Sequence, residues 1–296
     1  MASGDSPAVA RRRVRLAVRE AREAKDFTQG QVAEAMEWSL SKVMRIETGE
    51  VTVSPNDLRP LLAHLGITDK ARVDELVRDA KLSRSRQQWW DMPRYREHLT
   101  VPLRQLIQFE ADAKVIKHFT ASAMPGSLQT PAYARAVLGT WKHELSGLDI
   151  EARVEARIRR RNQFLSRVEP PEVSLLLDEA VLMRKTGGVQ TWRGQLSDLM
   201  DRAKEKSFAV RVMSFDMDVP LPMHGSYDIL YLGDDRDEDN AVMYRENYVS
   251  DEIIENATDI RKHRANFDQL WDSALDEDAS LRLIARRVDG VPPEST

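Results

Sequence analysis

The chain contains no cysteine, which removes disulfide bridges, cysteine-ligated zinc and thiol nucleophiles together. That usage fits a reducing compartment, and a cytoplasmic location is expected. Histidine is scarce: six residues, at positions 64, 98, 118, 143, 224 and 263, show no metal-ligand spacing. No apolar run approaches the roughly 20 residues that a membrane-spanning helix requires. The opening MASGDSPAVARRR has basic residues but no apolar stretch after them, so no signal peptide is expected. No glycine-rich phosphate loop, metal cluster or catalytic triad is present either. An enzyme is therefore not expected, nor a bound cofactor or metal.

What is present is the composition of a folded, charged protein. Of 296 residues, 42% are hydrophobic and 31% charged, enough for one large or two ordinary domains. The net charge of −4 argues against a generic polyanion binder, but its distribution is uneven. Residues 1–86 carry 16 Lys and Arg against 13 Asp and Glu; the remainder carries 28 against 35. A small basic domain attached to a larger acidic one is the simplest reading.

Residues 8–25 place Val14, Ala17, Val18 and Ala21 at i, i+3, i+4 and i+7, the apolar stripe of one helix. Thr28 is placed to cap a short second helix with Val32, Ala33 and Met36 inward, and Ser39 to cap a third that Gly49 ends. Ser54-Pro55-Asn56-Asp57 has a cap, a proline at the first helical position and an acid at the third, opening a fourth helix through about Leu65. Pro60 is expected to bend it. Thr68 or Asp69 starts a fifth, with Val73, Leu76 and Val77 inward. Five helices in this span make one all-α domain, residues 1–82.

The third helix has two unlike faces. Val43 and Ile46 point one way, whereas Ser41, Met44, Arg45 and Thr48 share the other, flanked by Leu40 and Lys42. Arg can donate two bonds to guanine, Ser can bond either way, and apolar side chains meet the thymine methyl, so the mixture suits a major groove. Gln29 opens the preceding helix, where an amide can hold a phosphate. The stretch FTQGQVAEAMEWSLSKVMRIETGE, residues 27–50, resembles the helix-turn-helix of the Xre family, which includes the lambda-repressor-like phage proteins. Phe27, Thr28, Gln29, Val32, Ala33, Ser39, Val43, Ile46, Glu47 and Gly49 match its pattern. Glu37 stands where that pattern has glycine, so positive φ or an altered turn is expected there, and Trp38 is larger than usual. The resemblance implies a double-stranded DNA operator as partner, contacted by Thr28, Gln29, Ser39, Leu40, Ser41, Lys42, Met44 and Arg45. It also implies a structural ion pair between Arg22 and Glu47.

Residues 83–102 break the periodicity and read as a linker, although Trp89-Trp90 is too apolar for a free tether. Beyond it, 103–118, 131–143, 150–166, 190–204 and 251–275 read as helices. Segments 173–178, 208–215, 227–232 and 241–246 read as strands. The second domain, 103–290, is therefore an α+β domain with a small sheet. Its PGSLQTPAYARAVL (125–138) resembles the PGLLQT-x-x-YARA signature of the domain that follows Xre helix-turn-helices in actinobacterial regulators, and the whole chain is similar to WhiJ-like regulators of Streptomyces. By that resemblance a transcriptional regulator is expected; because a single helix-turn-helix makes few base contacts, a homodimer is expected as well, with the second domain dimerising and sensing an effector or a partner. The alternative is an antitoxin-like protein that neutralises a small protein encoded by an adjacent gene while controlling its own operon; less favoured is an enzyme with a DNA-binding address domain.

Several sharper readings give way to plainer ones. Asp178 and Glu179 are adjacent at a strand end, so they point apart and cannot flank one substrate; Asp178 is a helix cap. The arginines 157, 159, 160 and 161 read as a solvated helix face paired with Glu151 and Glu155 rather than a phosphate site. His224-Gly225-Ser226 lacks the surroundings of a nucleophile elbow, and GDDRDEDN (233–240) lacks the spacing of a calcium loop.

Overall fold

The computed structural model describes residues 7–84, 89–217, 225–233, 236–246 and 250–290. Two compact units divide between Trp89 and Trp90, inside the segment read as a linker. Residues 85–88 of that segment lie outside the described residues, as do His224 and part of the acidic loop.

The first unit consists of α1 (Pro7–Ala24), α2 (Gln29–Ala35), α3 (Leu40–Glu47), α4 (Pro55–His64) and α5 (Lys70–Leu82). Each start has the expected chemistry. Thr28 and Gln31 form a capping box at α2, Ser39 accepts from the Lys42 amide, Ser54 from Asp57, and Asp69 from Arg72. Helix α4 runs through Pro60 to His64. The core closes around Val14, Val18, Val32, Val43, Leu58, Leu62 and Leu76.

Helix α2 ends on a left-handed Glu37, φ +55°. The Glu37 amide donates to Glu34 O (3.1 Å) and the Trp38 amide to Ala33 O (2.8 Å), a Schellman closure in which glycine is the relaxed choice. Glu37→Gly should therefore raise unfolding stability by up to ~1 kcal/mol. Denaturant melts of the two forms check this, and an unchanged or lower midpoint would show that Glu37 is not strained.

A 3₁₀ turn at Trp89–Asp91 straddles the division, and the second unit continues with α6 (Pro93–Arg96), α7 (Val101–Asp112) and β1 (Val115–Thr120). There follow α8 (Pro131–Gly139), α9 (Gly147–Leu165), β2 (Glu172–Asp178), α10 (Glu179–Met183), α11 (Gly188–Lys204) and β3 (Ala209–Met213). The remainder is β4 (Tyr227–Tyr231), β5 (Ala241–Glu246), β6 (Asp251–Ile254), α12 (Ala257–Ser273) and α13 (Glu277–Asp289). The sheet order is β3-β2-β1-β4-β5-β6, parallel from β3 to β1 and antiparallel from β1 to β6. One sheet face packs with α12 around Phe119, Ile229, Met243 and Phe267. Residues of the expected linker take part in this unit: Tyr95 of α6 is buried and its hydroxyl donates to Glu155 of α9 at 2.6 Å. No described helix is long and apolar enough to cross a membrane.

Two strands were hidden in segments that read as helices. Residues 103–118 divide into the end of α7 and the start of β1, and 251–275 into β6 and α12. The apolar spacing of α7 continues into Val115 and Ile116 without a glycine or proline to mark the stop. Strand β1 is central, paired on both sides, so its sequence lacks the in-out alternation of a half-exposed strand. Asp178 does cap α10, accepting from the Ala180 amide at 2.8 Å. The arginine run differs from expectation. Arg160 is buried in a two-bond pair with Glu110 of α7 (2.8 and 2.9 Å), and Arg161 is buried against Asp198 and Leu128 O. Only Arg159 makes the expected surface pair, with Glu155. Spacing along α9 could not reveal this, because the partners come from α7 and α11.

Candidate nucleic-acid interface

The first unit arranges α2 and α3 around one carboxylate. Glu47, on the last turn of α3, is buried and accepts three charged or polar donors. Arg22 of α1 donates through Nε (2.6 Å) and Nη2 (3.0 Å), and Gln29 of α2 through Nε2 (2.7 Å). Arg22 also donates to Phe27 O at 2.9 Å, across the α1–α2 turn. The hydrogen bonds to Glu47 raise the Arg22 pKa above its ordinary value. Three helices thus share one hydrogen-bonded junction. A charge-assisted two-bond pair of this kind fixes angle as well as distance, so the pitch of α3 against α1 is set here.

With Val43, Ile46 and Glu47 turned inward, the rest of α3 faces out. Leu40 is 49% and Met44 47% exposed, and Ser41 and Thr48 are exposed beside them. Ser39 and Thr28 are exposed at the helix starts they cap. Of the ten residues implied by the resemblance, the structure gathers Leu40, Ser41, Met44 and Arg45 on one outer face. It places Thr28 and Ser39 at neighbouring helix starts, and Arg22 and Glu47 beneath. Gln29 is half-buried, with its amide nitrogen held by Glu47.

The two cations of α3 are already engaged. Lys42 Nζ lies 3.7 Å from the centre of the Trp38 ring and 3.1 Å from Asp57 Oδ2. Arg45 Nε lies 3.4 Å from Glu50 Oε1. The two departures from the family pattern therefore act together: left-handed Glu37 turns the chain so that Trp38 packs partly on the core and partly under Lys42. Trp38, Asp57 and Glu50 belong to this surface although the sequence reading did not assign them to it. Asp57 was visible only as the third residue of a helix start; its contact with Lys42 spans 15 residues and depends on how α4 packs.

These exposed pairs are worth little to stability, ~0.2–1 kcal/mol each, and are readily exchanged for phosphate. The Glu47 junction is different. Glu47→Ala should cost ~3 kcal/mol, because it strips a largely buried guanidinium of its two-bond partner and leaves it only the exposed Glu23 carboxylate and Phe27 O. Lys42→Ala should cost less than ~1 kcal/mol. Urea titration of both variants tests the contrast; equal losses would show that the Arg22–Glu47 pair does not organise the unit.

Residues 103–286 match the family model described as a domain of unknown function (DUF5753), and residues 14–76 match a helix-turn-helix domain model. No curated protein and no solved structure matches the chain.

Proposed function

The chain belongs to the DUF5753 family and carries a helix-turn-helix ahead of that domain, and from this premise we propose that it is a sequence-specific transcriptional regulator reading operator DNA through α3. In general terms a helix-turn-helix chain of this kind is a DNA-binding regulator. The finer reading rests on one observation. A helix held from beneath by a buried ion pair leaves two large apolar side chains, Leu40 and Met44, exposed beside Ser41, Lys42 and Arg45. A helix that served only packing would bury the apolar pair. A major groove offers thymine methyls to Leu40 and Met44, guanine O6 and N7 to Arg45, and flanking phosphate to Lys42.

The second unit, in this reading, provides dimerisation and effector or partner sensing and is not an enzyme. The DNA target is an inverted repeat whose half-sites lie about one helical turn apart, ~34–36 Å, or a multiple of it. A cytoplasmic, WhiJ-like regulator of the Xre type is the corresponding biological setting. The antitoxin alternative shares the DNA-binding half and differs only in what the second unit holds; no observation of the fold favours it.

Operator binding by single variants tests the assignment. Arg45→Ala should weaken operator binding by ~1–3 kcal/mol and relax preference at one base pair, with its melting temperature nearly unchanged. Lys42→Ala should weaken binding to all sequences and lower the salt slope by about one. Val43→Ala is the control: a core void that lowers the melting temperature and affects DNA only through unfolding. An Arg45→Ala protein that melts early yet binds its operator normally would return α3 to a packing role. Light scattering of the full chain, alone and on the operator, checks the dimer; a monomer occupying one half-site would remove it.

A further inference from the structure

Between one sheet face and helices α7 and α9, the second unit holds a polar layer where a core is ordinarily apolar. The strand registers set His118 of β1 opposite Asp228 of β4, and Asp228 opposite Tyr244 of β5, so three polar residues form one cross-strand row. His118 is 1% and Tyr244 6% exposed. His118 Nδ1 lies 2.6 Å from Asp228 Oδ1. The Glu110–Arg160 pair stands against this row: Glu110 acts electrostatically on His118, and Arg160 on both His118 and Tyr244. Burial pushes the Glu110 carboxyl up, but the Arg160 guanidinium outweighs it and holds it below its ordinary value, and Ser127 is wholly buried in the Gly126–Leu128 turn.

That network leaves donors over. His118 Nε2 is shielded from solvent and has no hydrogen-bond partner among the described residues. Burial pushes the His118 pKa down, but Asp228 and Glu110 outweigh it and leave it raised, which favours the doubly protonated ring, the form in which Nε2 is a donor. Arg157 Nη1 is likewise shielded and without a partner, and Arg157 makes no ion pair among the described residues. Burial lowers the Arg157 pKa, only partly offset by the Glu246 charge. A buried donor without an acceptor costs ~1–3 kcal/mol, so two in one layer call for an explanation.

Gly126 supplies one. Its φ is not in the left-handed region, so the backbone does not require glycine there. The close approach of two arginines favours it: a Cβ at 126 would stand 3.1 Å from Arg160 Nη1 and 3.6 Å from Arg157 Nε, so the Arg160 guanidinium would have to give way by a few tenths of an ångström. The bare Cα lets the edges of both guanidiniums approach the turn. Planar guanidinium edges match carboxylate and phosphoryl oxygens. A small pocket lined by Ile107, Glu110, Arg160, Gln163, Phe164 and Arg167 lies beside the Glu110–Arg160 pair, and Gly126, Arg157 and His118 do not line it.

We propose that Gly126, Arg157 and Arg160, with His118 as a further donor, frame a binding site for a small anionic ligand carrying a carboxylate or phosphoryl group. The site rests on the reading of the second unit as the effector-sensing part of the regulator. The ligand's oxygens take the places that no protein acceptor fills. The same Arg160 that receives the ligand is already held by Glu110, so its position is set before the ligand arrives.

The test uses the full chain with histidine side chains labelled with ¹⁵N, titrated with sodium phosphate and, separately, sodium acetate at constant ionic strength set by sodium chloride. The expected result is a saturable shift of the His118 Nε2 resonance and a raised melting temperature with at least one anion. The preferred anion tells phosphoryl from carboxylate. Arg157→Gln and Gly126→Ala should each weaken that binding at least tenfold, the second without changing any charge. Arg159→Gln, on the exposed face of the same helix, should leave it unchanged. Absence of saturable binding by either anion overturns the proposal, as does binding that survives both Arg157→Gln and Gly126→Ala. Should Arg157→Gln melt early, Gly126→Ala decides alone. DNA affinity of the same samples, anion-free and saturated, tests sensing apart from the site: an unchanged affinity removes the sensing role and leaves the anion site standing.

Discussion

The DNA-binding unit turns on the Glu47 carboxylate, which sits at the junction of three helices and accepts from Arg22 on α1 and Gln29 on α2. Hydrophobic burial alone would hold α3 near α1, since apolar contact is non-directional and tolerates rotation. The paired guanidinium is directional. It fixes which residues of α3 point inward, and so determines that Leu40, Ser41, Met44 and Arg45 point outward. The exposed face of α3 is thus the complement of a buried ion pair, and that face and the scaffold cannot be varied independently.

The second unit uses buried charge differently. Its sheet packs an ordinary apolar core with α12, whereas the opposite face holds His118, Asp228 and Tyr244 beneath Glu110 and Arg160. Burying so many ionisable groups is costly unless each finds a partner, and in stability terms such a layer often does no better than apolar packing. A binding site accounts for that cost in a way that stability does not. The long α9 is the common element, since its Arg160 and Arg161 tie α7, α11 and the Gly126–Leu128 turn together.

Much of the first unit was legible because its determinants are local. The caps Thr28, Ser39, Ser54 and Asp69 act within four residues, and the inward stripes repeat at helical spacing. Even the unusual turn was visible, since Glu37 at a glycine position pointed to the left-handed φ found there. Strands β1 and β6 were not legible. A central strand has no alternation to read, and β6 runs to within three residues of a helix whose periodicity overwhelmed four residues of edge strand. The arginine run on α9 misled for a related reason: Glu151 and Glu155 lay at helical spacing, but α7 and α11 brought Glu110 and Asp198 closer to the buried members.

The amino-acid order by itself determined the helix ends of the first unit, the inward and outward faces of α3 and the division into a basic helical unit and an acidic mixed one, because caps, periodicity and charge act over a few residues or are sums over many. Tertiary structure decided most of the pairing of charges. Lys42 meets Asp57 across 15 residues and His118 meets Asp228 across 110, whereas Arg22–Glu47, across 25, was expected only through the family resemblance. Ion pairs form where packing brings side chains within about 4 Å, and separation along the chain carries no information about that distance. For the same reason the close approach of Arg157 and Arg160 to Gly126 appears only when α9 lies over its turn.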